Sequence, residues 1–171
     1  EKKDLSNIDT TTLASKFWNL NFLIAKYVFD SGTDTLPSFH YSYKDYKCVD
    51  KDNEDNTITR EIYGKSSPTT MKFNARKSLL EIHKLDVSSI TDMSYMFADC
   101  SNLVSIDGSS FDTSKATNMA SMFRSCSALK ELNLTGFNTS QVSTMGDMFN
   151  SCKSLEYLDL SSFNTEKVTN M

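Results

Sequence analysis

The chain has 171 residues, of which 39% are hydrophobic and 23% are charged, values that suit a globular protein of one or two modest domains. Its formal net charge is −4, and the acidic excess lies in residues 77–171, which carry seven basic and eleven acidic side chains. This balance argues against a nucleic-acid partner, which requires clustered Lys and Arg. No apolar run reaches the roughly 18 residues that span a membrane, so no membrane-spanning segment is predicted.

The first predicted element is a helix over about residues 13–29. The threonines at 10–12 offer an N-cap, and Ser31-Gly32 is typical of a helix end. One apolar stripe recurs at helical spacing, formed by Leu13, Phe17, Leu20, Ile24 and Val28. Apolar residues also occupy the other faces, which favours a helix that is covered on more than one side.

Short strands are predicted after this helix. Phe39, Tyr41 and Tyr43 alternate with polar residues, which is typical of a strand with one apolar face. Residues 57–63 and 71–73 are two further strand candidates. Residues 1–76 are therefore predicted to form a small α+β unit that caps the repeats, because the terminal coil of a repeat array exposes an apolar edge.

Residues 77–171 repeat with a period of 26 residues. The period is visible in the methionines Met93, Met119, Met145 and Met171, and in Phe97, Phe123 and Phe149. A fixed period in this range is typical of a solenoid, in which each coil buries its apolar edge against the next coil. The region holds about three and a half coils. Because the last methionine falls inside a coil, we expect the solenoid to be truncated at its C-terminus, as a fragment of a longer repeat protein.

Each coil is predicted to contain one short strand, a turn and one short helix. In residues 129–154, Leu132 and Leu134 alternate with polar residues, which predicts a strand that stacks in parallel on its neighbours. Asn138 suits the following turn, because its side chain can bond nearby backbone amides. Apolar residues at positions i, i+3, i+4 and i+7 then predict one stripe of a two-turn helix, formed by Met145, Met148, Phe149 and Cys152.

The repeat also resembles a known family. Its Leu-x-x-Leu-x-Leu pattern is that of leucine-rich repeats, with Phe111, Phe137 and Phe163 at the position that Asn usually holds, so an aromatic spine is predicted in place of the usual polar ladder. With its Met-Phe-x-x-Cys segment and phrases such as Thr117-Asn-Met-Ala-Ser-Met-Phe, the region 77–171 resembles the BspA-type leucine-rich repeats of bacterial surface proteins. The resemblance implies an α/β solenoid in an exported, often lipid- or wall-anchored protein used in adhesion. It implies no catalysis and supplies no binding residues.

No catalytic site, metal site or cofactor is predicted. Cys100, Cys126 and Cys152 occupy equivalent positions on the apolar stripe, so they point the same way and are expected to be free, buried thiols. The acidic segment 50–61 only partly matches a calcium-binding loop, since Asp55 stands where that loop requires Gly. No nucleophile motif accompanies the fourth cysteine or either histidine.

The exposed face of the stacked strands is the predicted binding surface. The candidate residues lie between the buried leucines and are Asp107, Lys130, Glu131, Asn133, Glu156, Tyr157 and Asp159. Acidic groups beside an exposed tyrosine suit a polar or basic protein partner. We therefore expect a non-enzymatic recognition or adhesion module, bacterial and located at the cell surface or secreted, that binds a protein or host-surface ligand. Two alternatives stay open, a structural spacer or stalk that projects another domain and, third, an enzyme housed in residues 1–76.

Overall fold

The structure, a computed structural model, describes residues 22–32, 38–39, 46–64 and 66–171. Its strands in chain order are β1 (Phe22–Asp30), β2 (Ser38–Phe39), β3 (Tyr46–Asp52), β4 (Thr57–Gly64), β5 (Met71–Lys72), β6 (Leu79–Leu85), β7 (Ser105–Asp107) and β8 (Glu131–Asn133). Six of them form a mixed sheet in the order β3-β4-β1-β6-β7-β8, and β2 pairs with β5. Pairing is antiparallel from β3 to β6 and parallel from β6 to β8, so the repeats and the strands before them share one sheet.

The predicted α/β solenoid with one short helix per repeat is wrong, because the described residues contain no helix. Residues 93–100 instead form consecutive tight turns. Met96 N–H donates to the Met93 carbonyl at 3.2 Å, and Cys100 N–H donates to the Phe97 carbonyl at 3.2 Å. Between them, Tyr95 has a φ of 56°, a left-handed conformation that a right-handed α-helix does not contain.

Backbone hydrogen bonds between repeats take the place of helical bonds. Alternate N–H groups, those of Met93, Tyr95, Phe97 and Asp99, donate to the next repeat at Asn118 (2.8 Å), Ala120 (3.0 Å), Met122 (2.9 Å) and Arg124 (2.8 Å). The same alternation recurs one repeat later, where Ser121 and Ser125 are the left-handed residues. Every second amide of this segment is thus satisfied by a neighbouring repeat rather than by its own turn.

The helix predicted over residues 13–29 is also wrong in the part that the structure describes, because residues 22–30 form the strand β1. Tyr27 and Phe29 are buried while Lys26 and Val28 are half-buried, an alternation of period two that a strand between β4 and β6 requires. The remainder of the predicted helix, residues 13–21, lies outside the described residues, as do Tyr41 and Tyr43 of the next predicted strand.

The other predicted strands are mostly present. Residues 57–63 fall within β4, and residues 71–73 include β5. The strands β6, β7 and β8 belong to successive repeats and stack in parallel, with Ile82, Ile106 and Leu132 in register. Residues 155–160, the equivalent segment of the last repeat, form no strand. The proposed domain boundary at residue 76 stays a prediction.

Two ladders of phenylalanine rings fill the core between repeats. Phe97, Phe123 and Phe149 stack with centroid distances of 5.6 Å and interplanar angles of 5° and 8°. A second ladder contains Phe137, whose ring lies 5.9 Å from that of Phe111 and 6.4 Å from that of Phe163. The predicted aromatic spine is therefore present, and a second spine lies on the segment that was predicted to be helical.

The cysteines form a third ladder. The thiols of Cys100, Cys126 and Cys152 donate to the carbonyls of Phe73, Phe97 and Phe123 over 3.1, 3.1 and 3.0 Å respectively. All three are free, and burial raises the pKa of Cys100 to about 12, so its thiol stays a protonated donor. The prediction of free thiols is confirmed, and burial is complete for the first two and partial for the third.

Buried threonines also connect the repeats. The Thr113 hydroxyl donates to the Asn138 carbonyl at 2.9 Å and accepts from the Asn138 N–H at 2.8 Å. Thr139 makes the same pair of bonds with Asn164, at 2.9 and 2.7 Å. Thr113 and Thr139 are 0% and 1% exposed, so these bonds satisfy hydroxyl groups that water does not reach.

We expect Phe123→Ala to lower the free energy of unfolding by about 3–5 kcal/mol, the range for truncation of a buried phenylalanine. The side chain is fully buried between Phe97 and Phe149, so its removal leaves a cavity and interrupts the ladder. Urea unfolding measures the loss. The exposed control Glu131→Ala should cost less than about 0.5 kcal/mol, and equal midpoints for the two variants would contradict this core.

The left-handed turns can be tested at Ser125, whose φ is 60°. Glycine adopts this conformation freely, whereas a β-branched residue is strained in it, so Ser125→Val should be less stable than Ser125→Gly by about 1–3 kcal/mol. Thermal unfolding compares the two. The same pair of substitutions at the exposed Ser114, whose φ is not positive, provides the control. A valine variant at position 125 as stable as its glycine counterpart would mean that this residue is not left-handed.

Candidate functional site

The candidate binding residues lie on the surface formed by β7, β8 and the equivalent segment of the last repeat. We call this surface the outward face and define it by the exposed residues of β6 and β7 and of residues 130–133 and 155–160. All seven predicted residues are exposed, namely Asp107, Lys130, Glu131, Asn133, Glu156, Tyr157 and Asp159. Ile106, which lies between Ser105 and Asp107 on β7, is buried, as the alternation of a strand requires.

Hydrogen bonds already engage three of the seven residues in turns. A carboxylate oxygen of Asp107 accepts from Ser109 N–H at 3.1 Å, and Asp159 accepts from Ser161 N–H at 2.9 Å. Asn133 accepts from the backbone N–H two residues on at 3.1 Å, and its side-chain amide donates to Asp107 at 3.2 Å. These polar atoms hold the chain where it leaves each strand, which is the role that short Asx side chains take in turns.

The carboxyl groups respond electrostatically to these bonds. Hydrogen bonds from Ser109 lower the pKa of Asp107, and the nearby His83 lowers it further. Hydrogen bonds from Ser161 lower the pKa of Asp159 in the same way. A carboxylate that accepts backbone N–H groups is favoured over the neutral acid, so both side chains are ionised at neutral pH.

The other four predicted residues are free to meet a partner. The side chains of Lys130, Glu131, Glu156 and Tyr157 make no hydrogen bond or ion pair within the described part of the chain. Tyr157 is 78% exposed. Among the large apolar side chains of the described residues, Tyr157 and Met171 are the most exposed. The outward face therefore combines a fixed row of turn-forming groups with a row of unengaged charges and one aromatic ring.

The sequence reading missed the part of this face on β6. Glu81 is in register with Ser105, and the His83 Nε2 atom lies 3.0 Å from a carboxylate oxygen of Glu81. Within residues 81–83, the half-buried Glu81 and the exposed His83 flank the buried Ile82, and this alternation could have revealed both residues. The signal was weak because Lys77 stands where the other repeats begin with leucine.

The described residues contain no group of three or more His, Cys, Asp or Glu side chains placed to hold a metal ion. They also include no helix of the length and apolar character that crossing a membrane demands.

Residues 68–171 match the family described as "Mycoplasma protein of unknown function, DUF285". The match covers more than half of the chain and all of the repeats, so the chain belongs to this family. No curated protein and no solved structure matches it.

The turn-forming carboxylates predict a specific pH dependence. The folded-state pKa values of Asp107 and Asp112 are lowered by hydrogen bonds from Ser109 and Ser114, so their stabilisation is present above the unfolded pKa of about 3.9. It is lost as the pH falls through the lower, folded-state values. We expect the double variant Asp107→Asn, Asp112→Asn to lose less stability than the parent chain between pH 6 and pH 2, measured by urea midpoints.

Glu131→Gln is the matched control for this experiment, because its carboxyl group is exposed and makes no described hydrogen bond. Its acid sensitivity should equal that of the parent chain. If the double asparagine variant is as acid-sensitive as the parent, these two carboxylates do not stabilise the turns through their charge.

Proposed function

We propose that this chain is a non-enzymatic recognition or adhesion module of a bacterial cell surface, and that it binds a protein or host-surface partner through the outward face. The observation that carries the proposal is that the polar residues of that face fall into two groups, one hydrogen-bonded in turns and one without a described partner. Some polar residues fold the turns, whereas Lys130, Glu131, Glu156 and Tyr157 are exposed without a described partner.

The chemistry of these four side chains supports a protein partner. Tyrosine contributes large contact area and a hydroxyl at little conformational cost, and it is enriched at the energetic centres of protein interfaces. Glu131 and Glu156 add negative charge, which favours a partner with basic groups and speeds its approach. Because neighbouring parallel strands lie about 4.8 Å apart, exposed groups on adjacent repeats are close enough to contact the same partner.

The proposed location at the cell surface, secreted or anchored, is supported by the resemblance to the BspA-type leucine-rich repeats. The sequence phrases that carry this resemblance, such as Thr117-Asn-Met-Ala-Ser-Met-Phe, all lie within the region that matches the family of unknown function. We also propose that the repeats are of the BspA type.

A structural spacer is the second candidate. It is supported by the bonding between repeats, in which backbone amides, thiols and threonine hydroxyls all connect one repeat to the next. Such an array is stiff along its axis and could hold another domain away from a surface. Absence of binding by the parent chain to every partner tested would favour this candidate.

An experiment on Tyr157 separates the two. The chain is tested for binding to immobilised extracellular-matrix proteins and to intact host cells, and then Tyr157→Ala and the triple variant Glu131→Ala, Glu156→Ala, Tyr157→Ala are compared with it. We expect the triple variant to weaken binding at least about tenfold, equal to about 1.4 kcal/mol, with an unchanged melting temperature.

The control is Lys115→Ala, since Lys115 is exposed but lies in a turn away from the outward face. It should bind as the parent chain does. Full binding by the triple variant would exclude the outward face as the binding surface.

A further inference from the structure

A histidine lies between two carboxylates on the outward face. The His83 Nε2 atom is 3.0 Å from a carboxylate oxygen of Glu81, on the same strand β6. The register of β6 with β7 puts Asp107 at the position next to His83 on the neighbouring strand. Hydrogen bonds from Ser109 lower the pKa of Asp107, and the charge on His83 lowers it further, so the two side chains interact. His83 therefore contacts acidic groups of two adjacent strands.

The other charged groups around His83 are lysines. Lys84 follows it on β6, is exposed, and is in register with Lys26 of β1. The Lys26 ammonium lies 2.9 Å from a carboxylate oxygen of Glu61 on β4. Among the described residues, neither lysine forms an ion pair with Glu81 or with the aspartate on β7. The histidine is thus the group that can bring positive charge to both carboxylates.

Protonation changes what this histidine does to the surface. A neutral imidazole donates one hydrogen bond and leaves the charge of a neighbouring carboxylate in place. An imidazolium donates from both ring nitrogens and adds a positive charge beside Glu81 and Asp107. Histidine ordinarily makes this change between about pH 8 and pH 5, a range in which carboxylates are ordinarily ionised.

On the basis of the proposed function, we propose that the outward face binds a basic protein segment and that protonation of His83 weakens this binding at mildly acidic pH. The chemistry of the partner follows from charge complementarity. The face carries more carboxylates than lysines, namely Glu81, Asp107, Glu131, Glu156 and Asp159 against Lys84 and Lys130. At neutral pH, lysine or arginine side chains of the partner interact with the carboxylates beside His83. At acidic pH, the imidazolium competes for the same two carboxylates.

The test uses a peptide whose own charge stays constant, a decapeptide of alternating lysine and serine with blocked termini. Calorimetry measures its binding to the chain at pH 7.5 and pH 5.5, at one low ionic strength because salt screens exposed charges. We expect the affinity to be about two- to fivefold lower at pH 5.5, the range for an exposed ion pair.

Two substitutions fix the charge at position 83. His83→Gln is neutral and should bind at both pH values with the higher affinity of the parent chain. His83→Lys is charged throughout and should bind at both with the lower affinity. The control is His40→Gln, which changes the other histidine of the chain and should keep the pH dependence of the parent. Because His83 is exposed, both of its variants should keep the melting temperature of the parent.

Three outcomes would overturn the proposal. Equal affinities of the parent chain at the two pH values would show that the histidine does not regulate binding. A pH dependence that persists in His83→Gln would assign it to another group. A peptide that does not bind at pH 7.5 would exclude the basic partner. The proposed function fails separately, since it depends on whether the triple variant loses binding to matrix proteins and host cells.

Discussion

The hydrogen bond from one repeat to the next is the interaction on which the rest of the structure depends. Each segment such as 93–100 sends alternate backbone amides to its successor, and its remaining amides close tight turns within the repeat. A single repeat would leave half of these donors unsatisfied in an apolar environment, at a cost of about 1–3 kcal/mol each. Stability therefore belongs to the stack and not to the repeat, as in other nearest-neighbour arrays.

The same constraint explains which residues fill the core. Side chains at equivalent positions of successive repeats lie in one line, so each must pack against an identical side chain in the repeats before and after it. Flat aromatic rings do so by parallel stacking, as Phe97 and Phe123 do at 5.6 Å. A thiol or a threonine hydroxyl does so by donating to a carbonyl of the adjacent repeat, as Cys126 and Thr113 do. Charged side chains repel one another in line, and they accordingly lie on the outside.

The 26-residue period and the stacking of equivalent residues could be predicted from the sequence. The tight turns of residues 93–100 and their equivalents could not. The spacing of 26 residues correctly placed the parallel strands β7 and β8, the line of cysteines and the spine containing Phe137. The helix was wrong because a row of tight turns directs residues i, i+3, i+4 and i+7 inward just as a helix does. The distinguishing signal was the polar character of Ser121 and Ser125, which are poor helix formers and adopt positive φ.

The outward face was predictable for a related reason. Alternation along a strand fixes which side chains are exposed, so Asp107, Glu131 and Asn133 on β7 and β8 could be placed without knowing the turns. Their individual roles depend on hydrogen bonds that a sequence pattern does not specify. Asp107 and Glu131 look equally available as sequence, yet only Asp107 is engaged, by Ser109 and Asn133.

The aromatic ladder changes its geometry at the first strands of the fold. Toward the N-terminal side, Phe73 stacks on Phe97 at 5.7 Å and 16°, but Tyr27 then meets Phe73 at 5.2 Å and 80°. That edge-to-face contact ends parallel stacking, since it sets a ring edge where the next ring face would lie. The antiparallel strand β1 covers the edge of β6 on the same side. At the last repeat, Phe149 keeps the orientation of the inner rings, within 8° of Phe123. The fold thus closes the aromatic ladder at its first strands.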